Sequence, residues 1–158
     1  MSPGGHSLSM TERRVTLRPA DADSLDYVER LLARNDLPTA DVREKSDRFF
    51  VAFADGAAVG VGGVEPFPPD GLLRSVVVES SRRGEGVGAA LCDRLEERAA
   101  AGGIDTLYLL TTTAREFFAA RGYETVDRAA VPASIRETGQ FESLCPSTAV
   151  CMRRRLSP

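Results

Sequence analysis

Leu72-Leu73-Arg74-Ser75-Val76-Val77-Val78-Glu79-Ser80-Ser81-Arg82-Arg83-Gly84-Glu85-Gly86-Val87-Gly88-Ala89 is the stretch on which the fold of this chain turns. Residues 72–78 form an apolar run broken only by Arg74 and Ser75, the composition of a buried strand. It leads into a glycine-rich turn. Val87, Leu91, Leu95 and Ala99 then recur every four residues, which predicts a helix over 86–101, ended by Gly102 and Gly103. A helix N-terminus leaves backbone N–H groups unpaired and carries partial positive charge. A phosphate or pyrophosphate satisfies both. Glycines at 84, 86 and 88 take Cβ atoms out of its path, and Arg82 and Arg83 add guanidinium donors.

Working outward, residues 15–18 alternate as a first strand closed by Pro19. Asp21 can cap a helix with Leu25, Val28, Leu31 and Leu32 on one face. Residues 35–46 are polar and have room for a short second helix. Strands are expected over 48–54 and 57–65, joined by the hairpin turn Asp55-Gly56. Gly60, Gly62 and Gly63 in the return strand point to a close approach to its backbone. Beyond a turn at 66–71 and the central stretch, a strand is expected over 106–110. A helix capped by Thr113 and ending at Arg121-Gly122 follows, then a strand at 123–127, a short helix at 132–140 and a last strand at 149–154. The order predicts one α/β domain with a mixed sheet over 12–158, preceded by a disordered tail at 1–11.

The chain has 158 residues, 42% of them hydrophobic, and a formal charge of -3, which suits a single core and excludes a strongly basic nucleic-acid face. Lys45 is its sole lysine and His6 its sole histidine. Cys92, Cys145 and Cys151 form no CxxC pair, so neither a zinc site nor a Ser-His or Cys-His pair is expected, and no metal. Such cysteine usage fits a reducing cytoplasm. No apolar run approaches the ~20 residues that span a bilayer. Gly84 to Ala89 also fits G-x-G-x-x-A of a dinucleotide fold, but it lies mid-chain, and Asp105 precedes the next strand instead of ending it. A P-loop would need Gly-Lys-Ser/Thr, which is absent.

Arg83-x-x-Gly86-x-Gly88 after a valine-rich strand resembles the acetyl-CoA site of the GNAT superfamily. Thr113-Ala114-x-x-Phe117-Phe118-x-x-x-Gly122-Tyr123 resembles that superfamily's second motif. Leu109-Leu110-Thr111-Thr112-Thr113-Ala114 and Gln140-Phe141-x-x-Leu144-Cys145-Pro146-Ser147-x-Ala149 are similar to the small N-acetyltransferases encoded with arsenic-resistance operons. The resemblance implies the GNAT fold, α/β, with a mixed central sheet splayed between two parallel strands, 72–78 and 106–110, and flanked by helices. It implies acetyl-CoA as co-substrate, its pantetheine arm paired with Val76 and Val78. The donor contacts it implies are Val76, Val77, Val78, Arg83, Gly84, Glu85, Gly86, Val87, Gly88, Ala89, Phe117 and Phe118. It also implies N-acetylation of a small-molecule amine, an amino acid or an amino-acid-like toxin, by direct attack in a ternary complex. A peptide N-terminus, a polyamine, a non-catalytic acyl-CoA-binding module and a homodimer stay open.

Acyl transfer to an amine needs a neutral nucleophile and a polarised thioester. With no histidine in the core, a carboxylate is the expected base. Glu65, closing the strand beside 72–78, is the candidate, against an ordinary exposed strand-end charge. Arg74 and Ser75, the polar interruptions of the central strand, complete the candidate catalytic set. Strand alternation puts Arg74, Val76 and Val78 on one face, where the guanidinium can bind an acceptor carboxylate or form a structural ion pair. The family's acid is a Tyr at the position held here by Phe118, which leaves Tyr123 or Tyr108 to substitute, or no acid at all. Cys145 is read as a buried thiol or a metalloid contact.

Overall fold

The structure, a computed structural model, describes residues 15–35, 37, 39, 42–84, 86–112, 114–137 and 149–156. The tail at 1–11, Glu85, Thr113 and the segment carrying Cys145 therefore lie outside the described residues. Elements follow the expected order: β1 (Thr16–Pro19), α1 (Leu25–Arg34), β2 (Phe49–Ala54), β3 (Ala57–Phe67), β4 (Asp70–Val78), α2 (Val87–Ala101), β5 (Thr106–Thr111), α3 (Arg115–Ala120), β6 (Glu124–Val126), α4 (Ala133–Arg136) and β7 (Val150–Arg155). Helices flank a mixed sheet whose seven strands run β1-β2-β3-β4-β5-β7-β6. Its parallel ladder joins β4 to β5 over three pairs, Asp70 with Thr106, Gly71 with Leu107 and Leu72 with Tyr108. Both strands continue beyond it.

The chain divides into two compact units, residues 1–64 with 75–97, and residues 65–74 with 98–158. In the first, α1 buries Leu25, Val28, Leu31 and Leu32 against Phe49, Val51, Val61 and Val77. Its start differs from expectation. Ser24 is the residue flanking the helix, and Asp21 acts one turn earlier: its Oδ1 accepts the Ser24 N–H at 2.9 Å while its own N–H donates to Ser24 Oγ at 2.8 Å. Those bonds hold the Asp21 carboxyl below the usual aspartate value. Between α1 and β2 the described residues show turns and a 3-10 turn, Ser46–Arg48, in place of a second helix and of the first residue of the expected strand.

Asp55 and Gly56 both lie at positive φ, 54° and 81°, as a tight two-residue hairpin requires. The glycines of β3 have the expected close neighbours. A Cβ on Gly60 would stand 2.6 Å from the Val77 carbonyl oxygen, and one on Gly62 would stand 2.5 Å from Leu95 Cδ1. Strand β3 thus admits α2 and β4 because it lacks side chains there.

In the second unit β3 runs on to Phe67 and β4 begins at Asp70, so the expected turn shrinks to Pro68-Pro69. β5 pairs antiparallel with β7, which pairs with β6. Leu72, Tyr108, Val131, Ile135 and Cys151 form this unit's buried cluster. Before α3, Thr111 Oγ1 accepts the Ala114 N–H at 2.9 Å. Among the described residues no helix is long and apolar enough to cross a membrane.

Candidate active site

In the first unit β4 ends at Val78 and the Glu79 N–H donates to the Val59 carbonyl at 2.8 Å. A 3-10 turn, Ser80–Arg82, follows. Gly84 and Gly86 then adopt φ of 86° and 84°, and a Cβ on either would meet nothing within 4 Å. Glycine is required there by the left-handed backbone, and the space above the turn is open. Helical bonding begins with the Ala90 N–H donating to the Gly86 carbonyl at 3.1 Å. The amides of Val87, Gly88 and Ala89 precede that first intrahelical donor. Val87 has its side chain in the core, so its contribution to a ligand is its backbone. Gly88 sits in the first turn of α2 at helical geometry. Open space, two left-handed glycines and the amino end of a 15-residue helix fit a pyrophosphate.

Helix α1 also reaches this turn. Tyr27 donates its hydroxyl to Glu79 Oε2 at 2.7 Å, and partial burial, reinforced by that carboxylate, pushes the phenol well above its usual pKa. Arg83 donates from Nε to the Val78 carbonyl at 3.2 Å and from Nη2 to Asn35 Oδ1 at 2.8 Å. Neither Tyr27 nor Asn35 stands out in the sequence, since no local pattern records a contact 52 or 48 residues away.

In the second unit Glu65 and Arg74 form an ion pair, Arg74 Nη1 to Glu65 Oε2 at 2.7 Å, with side chains 1% and 0% exposed. Glu65 is thus buried within β3, not an exposed charge at its end, and the Arg74 fork is turned to the chain's own carboxylate. Each group answers the charge of the other. Ser75 has φ of 59°, a left-handed residue inside a strand. The face assignment of Arg74 with Val76 and Val78 fails there, because alternation needs continuous extended backbone. Burial agrees: Arg74 is buried, while Val76 and Val78 are only half-buried.

Phe118 is buried, with its ring edge-on to Phe117 at 5.0 Å and to Tyr123 at 5.3 Å. Phe117 is 40% exposed. Tyr108 and Tyr123 are both buried. Tyr108 borders a cavity of about 760 Å³ that also meets Asp70, Asp105 and the arginines 153–155. That cavity opens at the amino ends of β4 and β5, whereas the glycine turn follows the carboxyl end of β4, where α/β sheets bind their ligands. Size does not make it the donor site.

Residues 12–123 match the profile of the acetyltransferase (GNAT) family. The chain belongs to that family. Among curated proteins this GNAT chain is 26% identical to the amino-acid acetyltransferase of Escherichia coli K12 over 98 residues, 61% of this chain and 22% of that protein. The amino-acid acetyltransferase of Enterobacter sp. 638 is 28% identical over the same shares. The chain therefore spans about a fifth of the length of these relatives. N-acetylglutamate synthase from Neisseria gonorrhoeae, solved with coenzyme A and N-acetyl-glutamate, superposes with a TM-score of 0.80 at 21% identity, over 91% of this chain and 35% of that one. Rv2747 from Mycobacterium tuberculosis, in a complex that includes CoA, gives 0.75 at 22% identity, over 90% and 99%. At these identities the structural likeness is one of fold.

Proposed function

We propose that this enzyme acetylates the amine of an amino acid or an amino-acid-like toxin. The observation that carries the donor half is the turn with left-handed Gly84 and Gly86 at the head of α2. For the acceptor half, the support is the kinship with amino-acid acetyltransferases. The pyrophosphate lies against the amides of Val87, Gly88 and Ala89, with Arg83, Gly84, Glu85 and Gly86 around it. As the family resemblance implies, pantetheine runs along Val76, Val77 and Val78, and Phe117 and Phe118 serve the donor as well. The acceptor nitrogen attacks the thioester carbonyl carbon directly: the C–N bond forms, the C–S bond breaks, coenzyme A leaves as thiolate, and the amine gives up a proton. Glu65, Arg74 and Ser75 serve the acceptor side: the acceptor's carboxylate takes over the Arg74 fork from Glu65, and the carboxylate so released is the base. The resemblance to arsenic-resistance N-acetyltransferases makes a toxic amino-acid analogue part of this reading. So is a reducing cytoplasmic setting. A homodimer is tested by sedimentation.

The deciding experiment follows thiol release from acetyl-CoA with an amino acid, its decarboxylated analogue, a polyamine and a peptide. Turnover is expected to favour the carboxylate-bearing amine. Arg74→Lys keeps the charge opposite Glu65 but loses the planar fork, so kcat/KM should fall for the amino acid far more than for its decarboxylated analogue. Equal losses on both would assign Arg74 to structure. Thermal stabilisation by acetyl-CoA without thiol release for any amine would make the chain a binding module.

A further inference from the structure

Arg83 is held in an unusual manner for a surface arginine. Its Nε and Nη2 donate to the Val78 carbonyl and to Asn35 Oδ1, at 3.2 and 2.8 Å, and among the described residues these are its partners. Both acceptors are neutral. The guanidinium is fixed in direction while its charge stays uncompensated by any described carboxylate, next to the open turn at Gly84 and Gly86. Asn35, for its part, has only one workable orientation. Its Nδ2 donates to the Leu31 carbonyl at 2.9 Å, and a carbonyl can only accept, so Oδ1 must face the guanidinium, which can only donate. The residue is also tied by its backbone, as its N–H donates to Leu32 O at 3.0 Å at the end of α1. The end of α1, half-buried at Asn35, thus supplies a fixed acceptor for the Arg83 guanidinium. A carboxylate there would hold Arg83 as well but would neutralise the charge that a phosphate needs.

We infer that Asn35 is a positioning residue for the donor's phosphates, acting through Arg83. This rests on the donor placement proposed above, with pyrophosphate at the glycine turn. Asn35 orients the fork so that its remaining donors point away from Val78 and α1, and it lowers the entropy lost when those donors close on a phosphate.

The test compares acetyl-CoA with S-acetylpantetheine, which has the same thioester and arm but no phosphates. Asn35→Ala should raise KM for acetyl-CoA by about five- to tenfold, as expected when one charge-assisted contact loses its geometry, and leave kcat/KM for S-acetylpantetheine unchanged. In an Arg83→Ala background the same substitution should have no further effect on KM for acetyl-CoA. Asn35→Asp should weaken acetyl-CoA at least as much as Asn35→Ala. Equal losses on the two donors, a full Asn35→Ala effect without Arg83, or tighter acetyl-CoA binding by Asn35→Asp would each overturn the inference. If Arg83→Ala weakens acetyl-CoA and Asn35→Ala does not, the inference fails and the donor placement stands. If neither variant changes KM, the donor placement fails as well.

Discussion

Ser75 sits at φ 59° inside β4, between the buried ion pair of Arg74 and the valines that lead to the glycine turn. Serine in that region is strained, and a β-branched side chain is more so. Ser75→Val should therefore be less stable than Ser75→Gly by about 1–2 kcal/mol, read as a lower urea midpoint at equal m. Equal midpoints would mean the residue is not left-handed in solution. Asp70 offers a second single-residue test. Burial, with the nearby Asp105 charge adding to it, holds its carboxyl above the ordinary value of 3.8. The fold therefore favours the protonated form. Its contribution is fully present below pH 3.8 and is lost as pH rises through the folded value. Asp70→Asn should then raise stability at neutral pH, with the gain fading below pH 3.8; a gain independent of pH would point away from titration.

At the scale of elements, the packing of α2 and β4 on β3 rests on two glycines that face different kinds of neighbour. Alanine at position 60 drives a Cβ into the Val77 carbonyl, and backbone cannot yield without disturbing the ladder. At position 62 the obstacle is the Leu95 methyl, the far end of a side chain that can rotate. Gly60→Ala should destabilise by about 1–3 kcal/mol, as overpacking does, and Gly62→Ala by clearly less. Thermal melts of the two single variants decide it; the reverse order would mean that α2 is the more rigid neighbour. Helix α1 shows how one element does two jobs. Its apolar stripe fills the core of the first unit, while Tyr27, Arg34 and Asn35 reach Glu79 and Arg83 beyond β4.

For the molecule as a whole, donor binding and stability are linked. A ligand at a hundredfold excess over its Kd stabilises by about 2.7 kcal/mol. In a chain of this size each kcal/mol shifts Tm by about 2–4 °C, so acetyl-CoA should raise Tm by about 5–10 °C. Gly86→Asp should abolish that rise by placing a carboxylate where the phosphates lie. Gly86→Ala is the control, since both variants strain the left-handed backbone and only one adds charge. A rise that survives Gly86→Asp would move the phosphates away from this turn.

The sequence by itself determined the order of elements, the apolar stripe of α1, the Asp55-Gly56 hairpin and the glycine turn ahead of α2. Each of these is written in the periodicity of apolar side chains or in the backbone freedom of glycine, which act over a few neighbouring residues. It also carried the family, because that turn and the strand before it are contiguous in the chain. Tertiary structure alone decided that β7 lies between β5 and β6 and that Phe117 is exposed beside a buried Phe118. It also paired Arg74 with Glu65, turned Ser75 left-handed within a valine-rich strand, and brought Asn35 to Arg83. Those outcomes depend on which distant segment supplies the facing group and at what register, and no local pattern of residue types encodes the partner across a sheet or at the far end of a helix.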